Sequence, residues 1–206
     1  MKDHYCTIAS EAVEEIKVKG SRFIGRIFEV TTDEEMTTQL TAIRKLEYNA
    51  SHNCYAYLIG IDEKQRLFKY SDDGEPNGTA GKPIYDVLNG TGVTNALLII
   101  TRYFGGTKLG TGGLVKAYSE CAKKTVESAG VKDNYLCDIL AVELEFPMYN
   151  QFQLLLQKTG ATQREADFSD IVKVEVEIRQ TKCKKLIDEI TGLTNGKAKI
   201  EKKEPA

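Results

Sequence analysis

Ala96-Leu97-Leu98-Ile99-Ile100-Thr101-Arg102-Tyr103 runs straight into Phe104-Gly105-Gly106-Thr107-Lys108-Leu109-Gly110-Thr111-Gly112-Gly113, and the architecture turns on this junction. The first eight residues form a near-continuous apolar run, the pattern of a strand covered on both faces. The next ten, five of them glycine, form a loop. Beyond it Leu114, Tyr118, Cys121 and Thr125 fall on one stripe, with Val115, Ala122, Val126 and Ala129 beside it. That spacing predicts a helix over 114–129, stopped by Gly130.

Upstream, residues 12–30 read as a hairpin turning at Lys19-Gly20. Asp33 is placed to cap a helix carrying Met36, Leu40 and Ile43. Residues 53–60 and 67–70 are rich in strand formers, with a polar turn at 61–66, and predict a second hairpin. Ser71 to Pro83 holds too much glycine and proline for regular structure, and Pro83 opens a short helix that Gly90 closes.

Downstream, Asp133-Asn134 marks the expected boundary between a domain over 1–133 and a smaller one over 134–206. The second reads strand (139–146), helix (149–159), strand (162–168), strand (171–179), helix (182–191) and strand (197–202). That β-α-β-β-α-β order is the ferredoxin-like arrangement. Val172, Val174, Val176 and Ile178 alternate with Lys173, Glu175, Glu177 and Arg179, so one sheet face is wet. Lys202 to Ala206 reads as a frayed tail. The fold class is therefore α+β, in two domains.

Composition narrows the function. Of 206 residues, 41% are hydrophobic and 28% charged, a globular mix. The longest clean apolar run, Ala96 to Ile100, is far short of the ~18 residues of a membrane span. The start, Met1-Lys2-Asp3-His4-Tyr5, lacks the apolar core of a secretory signal, so a soluble cytoplasmic protein is expected. A net charge of −2 and a pI near 5.8 argue against nucleic-acid binding through bulk positive charge but leave local basic patches open. Five scattered cysteines, with no C-x-x-C pair, read as reduced thiols rather than a disulfide framework or a zinc site.

The glycine loop is the first candidate for chemistry. A helix N-terminus offers free N–H groups and positive dipole, and glycines let an anion approach them. Arg102, Lys108 and Lys116 add charge. The known nucleotide motifs are broken, because Thr111 stands where a P-loop needs Lys and Val115 where G-x-G-x-x-G needs its last Gly. Asp72, Asp73 and Glu75 form a second candidate, able in principle to ligate a hard cation or to act as acid and base. The spacing does not match a calcium loop, and acids in such loops commonly bond their own backbone. His52, between Ser51 and Cys54, lacks the setting of a hydrolytic dyad. His4 and the cluster Lys182, Lys184, Lys185 read as surface features. No cofactor, no metal-ligand set and no complete catalytic constellation is expected.

Taken together, Ser71 to Pro83 and Thr101 to Ser119, with Ala50-Ser51-His52-Asn53-Cys54-Tyr55-Ala56-Tyr57 and Ser21-Arg22-Phe23-Ile24, resemble the signature of the IMPACT/YigZ family. The match covers the first ~130 residues. The remainder is similar to the family's small C-terminal domain, which in the bacterial two-domain branch resembles the C-terminal domain of elongation factor G. The resemblance implies a ribosomal-protein-S-five domain-2-like first domain. It also implies kinship with eukaryotic regulators of translation that act through protein partners of the ribosome.

The shared residues map onto Asp72, Asp73, Glu75, Arg102, Tyr103, Gly105, Gly106, Lys108 and Gly113, with His52 from the third motif and Gly112 and Lys116 beside them. The function expected is a cytosolic, non-enzymatic binder of ribosome, RNA or a translation factor, with Arg102 and Lys108 holding phosphate. The rival expectation is a hydrolase or phosphoryl-handling enzyme between the 71–83 and 102–113 loops.

Overall fold

The computed structural model describes residues 3–62 and 64–203. They form two compact units, one spanning Tyr5–Asn134 and the other running from Tyr135 onward together with Asp3 and His4.

The first unit is built on a five-stranded antiparallel sheet of β2 (Ala12–Val18), β3 (Ser21–Glu29), β4 (His52–Ile59), β5 (Leu67–Ser71) and β6 (Ala96–Tyr103), in the order β2-β3-β6-β4-β5. β6 is central, pairing with β3 from Arg22↔Tyr103 to Glu29↔Ala96 and with β4 from His52↔Arg102 to Leu58↔Ala96. Its alternation serves two cores. Ala96, Leu98 and Ile100 join the core under α2 (Gly81–Gly90) and α3 (Thr111–Ala129). Leu97 and Ile99 face the other way, onto Met36, Leu40 and Ile43 of α1 (Asp33–Leu46) and onto Tyr55 and Tyr57. Burial on both faces, at about 1.5–3 kcal/mol for each large aliphatic side chain, is what its unbroken apolar sequence requires.

Element ends differ from expectation where local chemistry overrides periodicity. Thr32, not Asp33, caps α1, its hydroxyl accepting from the Glu35 N–H at 3.1 Å. α2 begins two residues before Pro83, which sits in the first turn, where its missing N–H costs nothing. α3 begins at Thr111, three residues before its apolar stripe, so Gly112 and Gly113 are helical rather than loop. His4 opens β1 (His4–Ile8), which pairs with β7 (Val131–Tyr135), an element not expected; Asp133 and Asn134 lie within β7.

In the second unit β8 (Cys137–Leu144), β9 (Thr162–Phe168), β10 (Val172–Arg179) and β11 (Lys199–Lys203) form an antiparallel sheet in the order β11-β8-β10-β9. With α4 (Tyr149–Thr159) and α5 (Gln180–Leu193) this is the ferredoxin-like arrangement. Val172, Val174, Val176 and Ile178 are buried against Phe152, Leu156, Leu186 and Ile190. The wet face carries ion pairs such as Lys173–Glu143 at 3.7 Å. Lys202 and Lys203, expected in a frayed tail, belong to β11, where Lys202 reaches Asp138 at 2.8 Å. The rest of that expected tail lies outside the described residues.

Candidate functional site

Strand pairing collects the motif residues. β4 lies between β6 and β5, with His52 opposite Arg102 and Tyr55 opposite Ser71. The start of β4, the end of β6 and the loop leaving β5 therefore meet at one end of the sheet. His52, Asp72, Asp73, Glu75 and Arg102 are gathered there.

Most of their polar groups turn inward. The Asp72 carboxylate accepts from the backbone N–H groups of Gly78 (2.9 Å), Ala80 (2.9 Å) and Gly81 (2.8 Å), closing the loop and capping α2 with a negative charge. Asp73 holds a left-handed backbone (φ 45°). Its carboxylate accepts from the Asn53 N–H at 2.7 Å and pairs with Arg44 at 2.8 Å, and its carbonyl accepts from His52 Nδ1 at 2.8 Å.

Glu75 is the centre of a buried cluster. Its Oε1 accepts from Arg102 Nη1 at 2.5 Å and from the Tyr118 hydroxyl at 2.9 Å, and its Oε2 lies 4.0 Å from His52 Nε2. The Glu75 and Arg102 side chains are only 3% and 7% exposed. The Arg102 guanidinium lies between Phe23 and Phe104, 5.4 and 5.7 Å from their ring centres, and its Nε has no partner among the described residues. Cys54 Sγ lies 3.0 Å from the Asp72 carbonyl and 3.3 Å from the Tyr118 hydroxyl, the two acceptors within reach of its single hydrogen. Burial pushes the Cys54 thiol well above its ordinary range, and neighbouring carboxylates push it further, so it is an inert thiol rather than a nucleophile. Burial likewise holds the Tyr118 hydroxyl protonated.

Arg102 was expected to hold phosphate. In the structure its charge is already matched by Glu75 and it is screened from solvent. Tyr103, next along β6, points to the opposite face, where its hydroxyl donates to Glu47 at 2.5 Å and Glu47 also pairs with Arg26.

Gly105 is fixed by close approach. A Cβ there would lie 1.9 Å from the Gly20 carbonyl carbon and 2.2 Å from the Ser21 nitrogen, so the glycine loop packs backbone to backbone on the β2–β3 turn. Gly106, Gly110 and Gly112 instead face open space, Gly106 and Gly110 with φ of 85° and 73°. Gly113 lies against Leu109. α3 starts without a side-chain cap, and the exposed Lys108 and Lys116 form no ion pair among the described residues. The two helix starts thus differ: α2 is filled by Asp72, whereas α3 stays open.

Sequence reasoning gave no site role to Tyr118, which it placed on a core stripe and within the Thr101–Ser119 motif, or to Arg44, on the outer face of α1. Both are joined to the 71–83 loop only by the fold, and neither stands within twenty residues of that loop in sequence.

A braced loop cluster on an antiparallel α+β domain, followed by a ferredoxin-like domain, defines a two-domain class of protein. Residues 19–126 match the Impact N-terminal domain, and residues 142–197 match a domain of unknown function (DUF1949). The chain is 33% identical over 204 residues to the IMPACT family member YvyE of Bacillus subtilis, covering 99% of this chain and 93% of that protein. It is 29% identical over 188 residues to the IMPACT family member YigZ of Escherichia coli, covering 91% of each. A solved structure titled only as that of a hypothetical protein aligns over the whole of both chains with a TM-score of 0.67 and 25% identity. This chain belongs to the IMPACT family. Among the described residues, no helix is long and apolar enough to cross a membrane.

Proposed function

We propose that the protein is a cytosolic, non-enzymatic regulator of translation that presents the glycine-loop face of its first domain to the ribosome, RNA or a translation factor. Family membership supplies the translation context. The observation that carries the choice of face is the uncapped start of α3. Its N–H groups, the open Gly106, Gly110 and Gly112, and Lys108 and Lys116, without an ion pair among the described residues, together suit an anionic partner. Glu75 braces that face from within, joining Arg102 near the end of β6 to Tyr118 of α3.

Co-sedimentation of the full chain with ribosomes at low and moderate salt tests this. Lys108→Ala/Lys116→Ala should weaken association and flatten its salt dependence. Association indifferent to both lysines at every salt concentration refutes the assigned face. Arg102→Ala is the wrong probe, because it breaks a buried ion pair.

A further inference from the structure

At the β5 edge of the first-domain sheet lies a group of rings that the glycine-loop face does not use, two of them exposed and the third, Tyr85, resting on the core. Phe68 and Tyr70 point to the same side of β5, opposite Leu58 and Ala56 of β4, and are 56% and 40% exposed. Tyr85 of α2 joins them, its ring centre 5.2 Å from Phe68 and 5.6 Å from Tyr70. The backbone places it there. A Cβ on Gly81 would lie 2.7 Å from the Ser71 carbonyl carbon, so only glycine lets α2 begin hard against the end of β5, and Tyr85 follows one turn later.

The same side is basic where it leaves the rings. Lys82 Nζ lies 5.9 Å from the centre of the Tyr85 ring and also lines a groove of about 610 Å³ between α2 and α3. Lys123, Ser119, Val115 and Thr91 line the groove further along. Its one carboxylate, Asp86, is matched by Lys82 at 2.5 Å, while Lys123 has no ion pair among the described residues. On α3 the lining runs from Lys123 through Ser119 to Val115, four residues from the start of that helix at Thr111.

We infer that this strip, the Phe68–Tyr70–Tyr85 rings continuing into the Lys82–Lys123 groove, is a binding track for single-stranded RNA. Bases stack on the exposed rings and the phosphates follow the lysines. This is how aromatic platforms beside a positive groove hold an unpaired strand without reading its sequence. Two lysines against one carboxylate leave the groove net positive, which suits a phosphate-bearing strand better than an uncharged protein segment. The inference rests on the translation reading only in taking RNA as the ligand class. It concerns a different surface.

The test is fluorescence anisotropy of the full chain with a labelled oligouridylate of about twelve nucleotides, against an RNA duplex of equal length. The wild type should bind the single strand in preference to the duplex. Phe68→Leu/Tyr70→Leu keeps apolar bulk but removes the π-faces and should weaken binding at least ~5-fold per ring. Phe68→Tyr/Tyr70→Phe should retain it. Lys123→Ala should lower the slope of log K against log salt by about 0.7.

No binding at about 50 mM salt overturns the inference, as does equal affinity for the duplex or full affinity in the leucine variant. Ribosome association lost in the leucine variant while oligonucleotide binding stays unchanged would assign the strip to a protein partner instead. The two readings fail separately: ribosome association that depends on Lys108 and Lys116 survives an absence of oligonucleotide binding, and the reverse result sinks only the glycine-loop face.

Discussion

Removing the carboxylate of Glu75 is the sharpest test of how the motif residues are used. The Glu75 and Arg102 side chains are more than nine-tenths buried and 2.5 Å apart, and the Tyr118 hydroxyl depends on the same oxygen. Arg102 Nε is already without a partner among the described residues, so Glu75→Ala leaves a guanidinium with no counter-charge inside the fold. Breaking one side of a buried pair costs about 3–5 kcal/mol. With a urea m-value of about 2 kcal/mol/M, the midpoint of the first domain should fall by roughly 1.5–2.5 M.

Glu75→Met/Arg102→Met removes both charges and should recover most of that loss, because desolvating the pair was itself costly. The sequence has no tryptophan, so unfolding is best followed by circular dichroism together with hydrogen exchange of peptides covering 72–81 and 111–122. Measured with Glu75→Met and Arg102→Met singly, the double variant closes a thermodynamic cycle. A loss under about 1 kcal/mol for Glu75→Ala, or a coupling energy near zero, would mean that the pair does not brace the loop.

Two further outcomes follow from the geometry. Gly105→Ala should destabilise by about 3 kcal/mol or more, because the new Cβ meets backbone that cannot swing aside, whereas Gly112→Ala, which faces open space, should be near neutral or slightly stabilising; thermal melts of the two variants compare them directly. Burial raises the Tyr57 hydroxyl from its ordinary value near 10 to about 12, and its hydrogen bond to Asp33 adds to the shift. The folded chain therefore holds this proton more tightly than the unfolded chain. The associated stability is complete below pH ~10 and is lost as pH rises toward ~12, and Tyr57→Phe should remove that part of the alkaline slope in urea titrations.

The fold was legible wherever a side-chain period matches burial. The run 96–100 forecast a strand between two cores, and the alternation in 172–179 forecast a one-faced sheet. Element ends were less legible, since Gly112 and Gly113 are poor helix formers and only their place in the first turn makes them helical. Lys202 and Lys203 looked like tail because β11 is an edge strand with little to bury. At the site, the sequence shows that the 72–75 acids and Arg102 are unusual but not which way they face. Antiparallel pairing of β4 with β5 and β6 draws Glu75 and Arg102 together across twenty-seven residues, and local pattern carries no trace of that. Reading such loop polarity as surface chemistry put Arg102 outside, and the structure puts it within.

The central place of β6 also shapes how the chain is made. During synthesis, β2 and β3 can pair early, and so can β4 and β5, but the strand that joins the two hairpins is the last of the five to leave the ribosome. Until residue 103 emerges, both hairpins carry an unpaired edge and an uncovered apolar face, and neither core can close. Folding of this domain is thus a late, non-local event, slow for its size and open to aggregation while it waits. Truncations ending before Tyr103 should yield sticky, unstructured chains rather than a smaller folded domain.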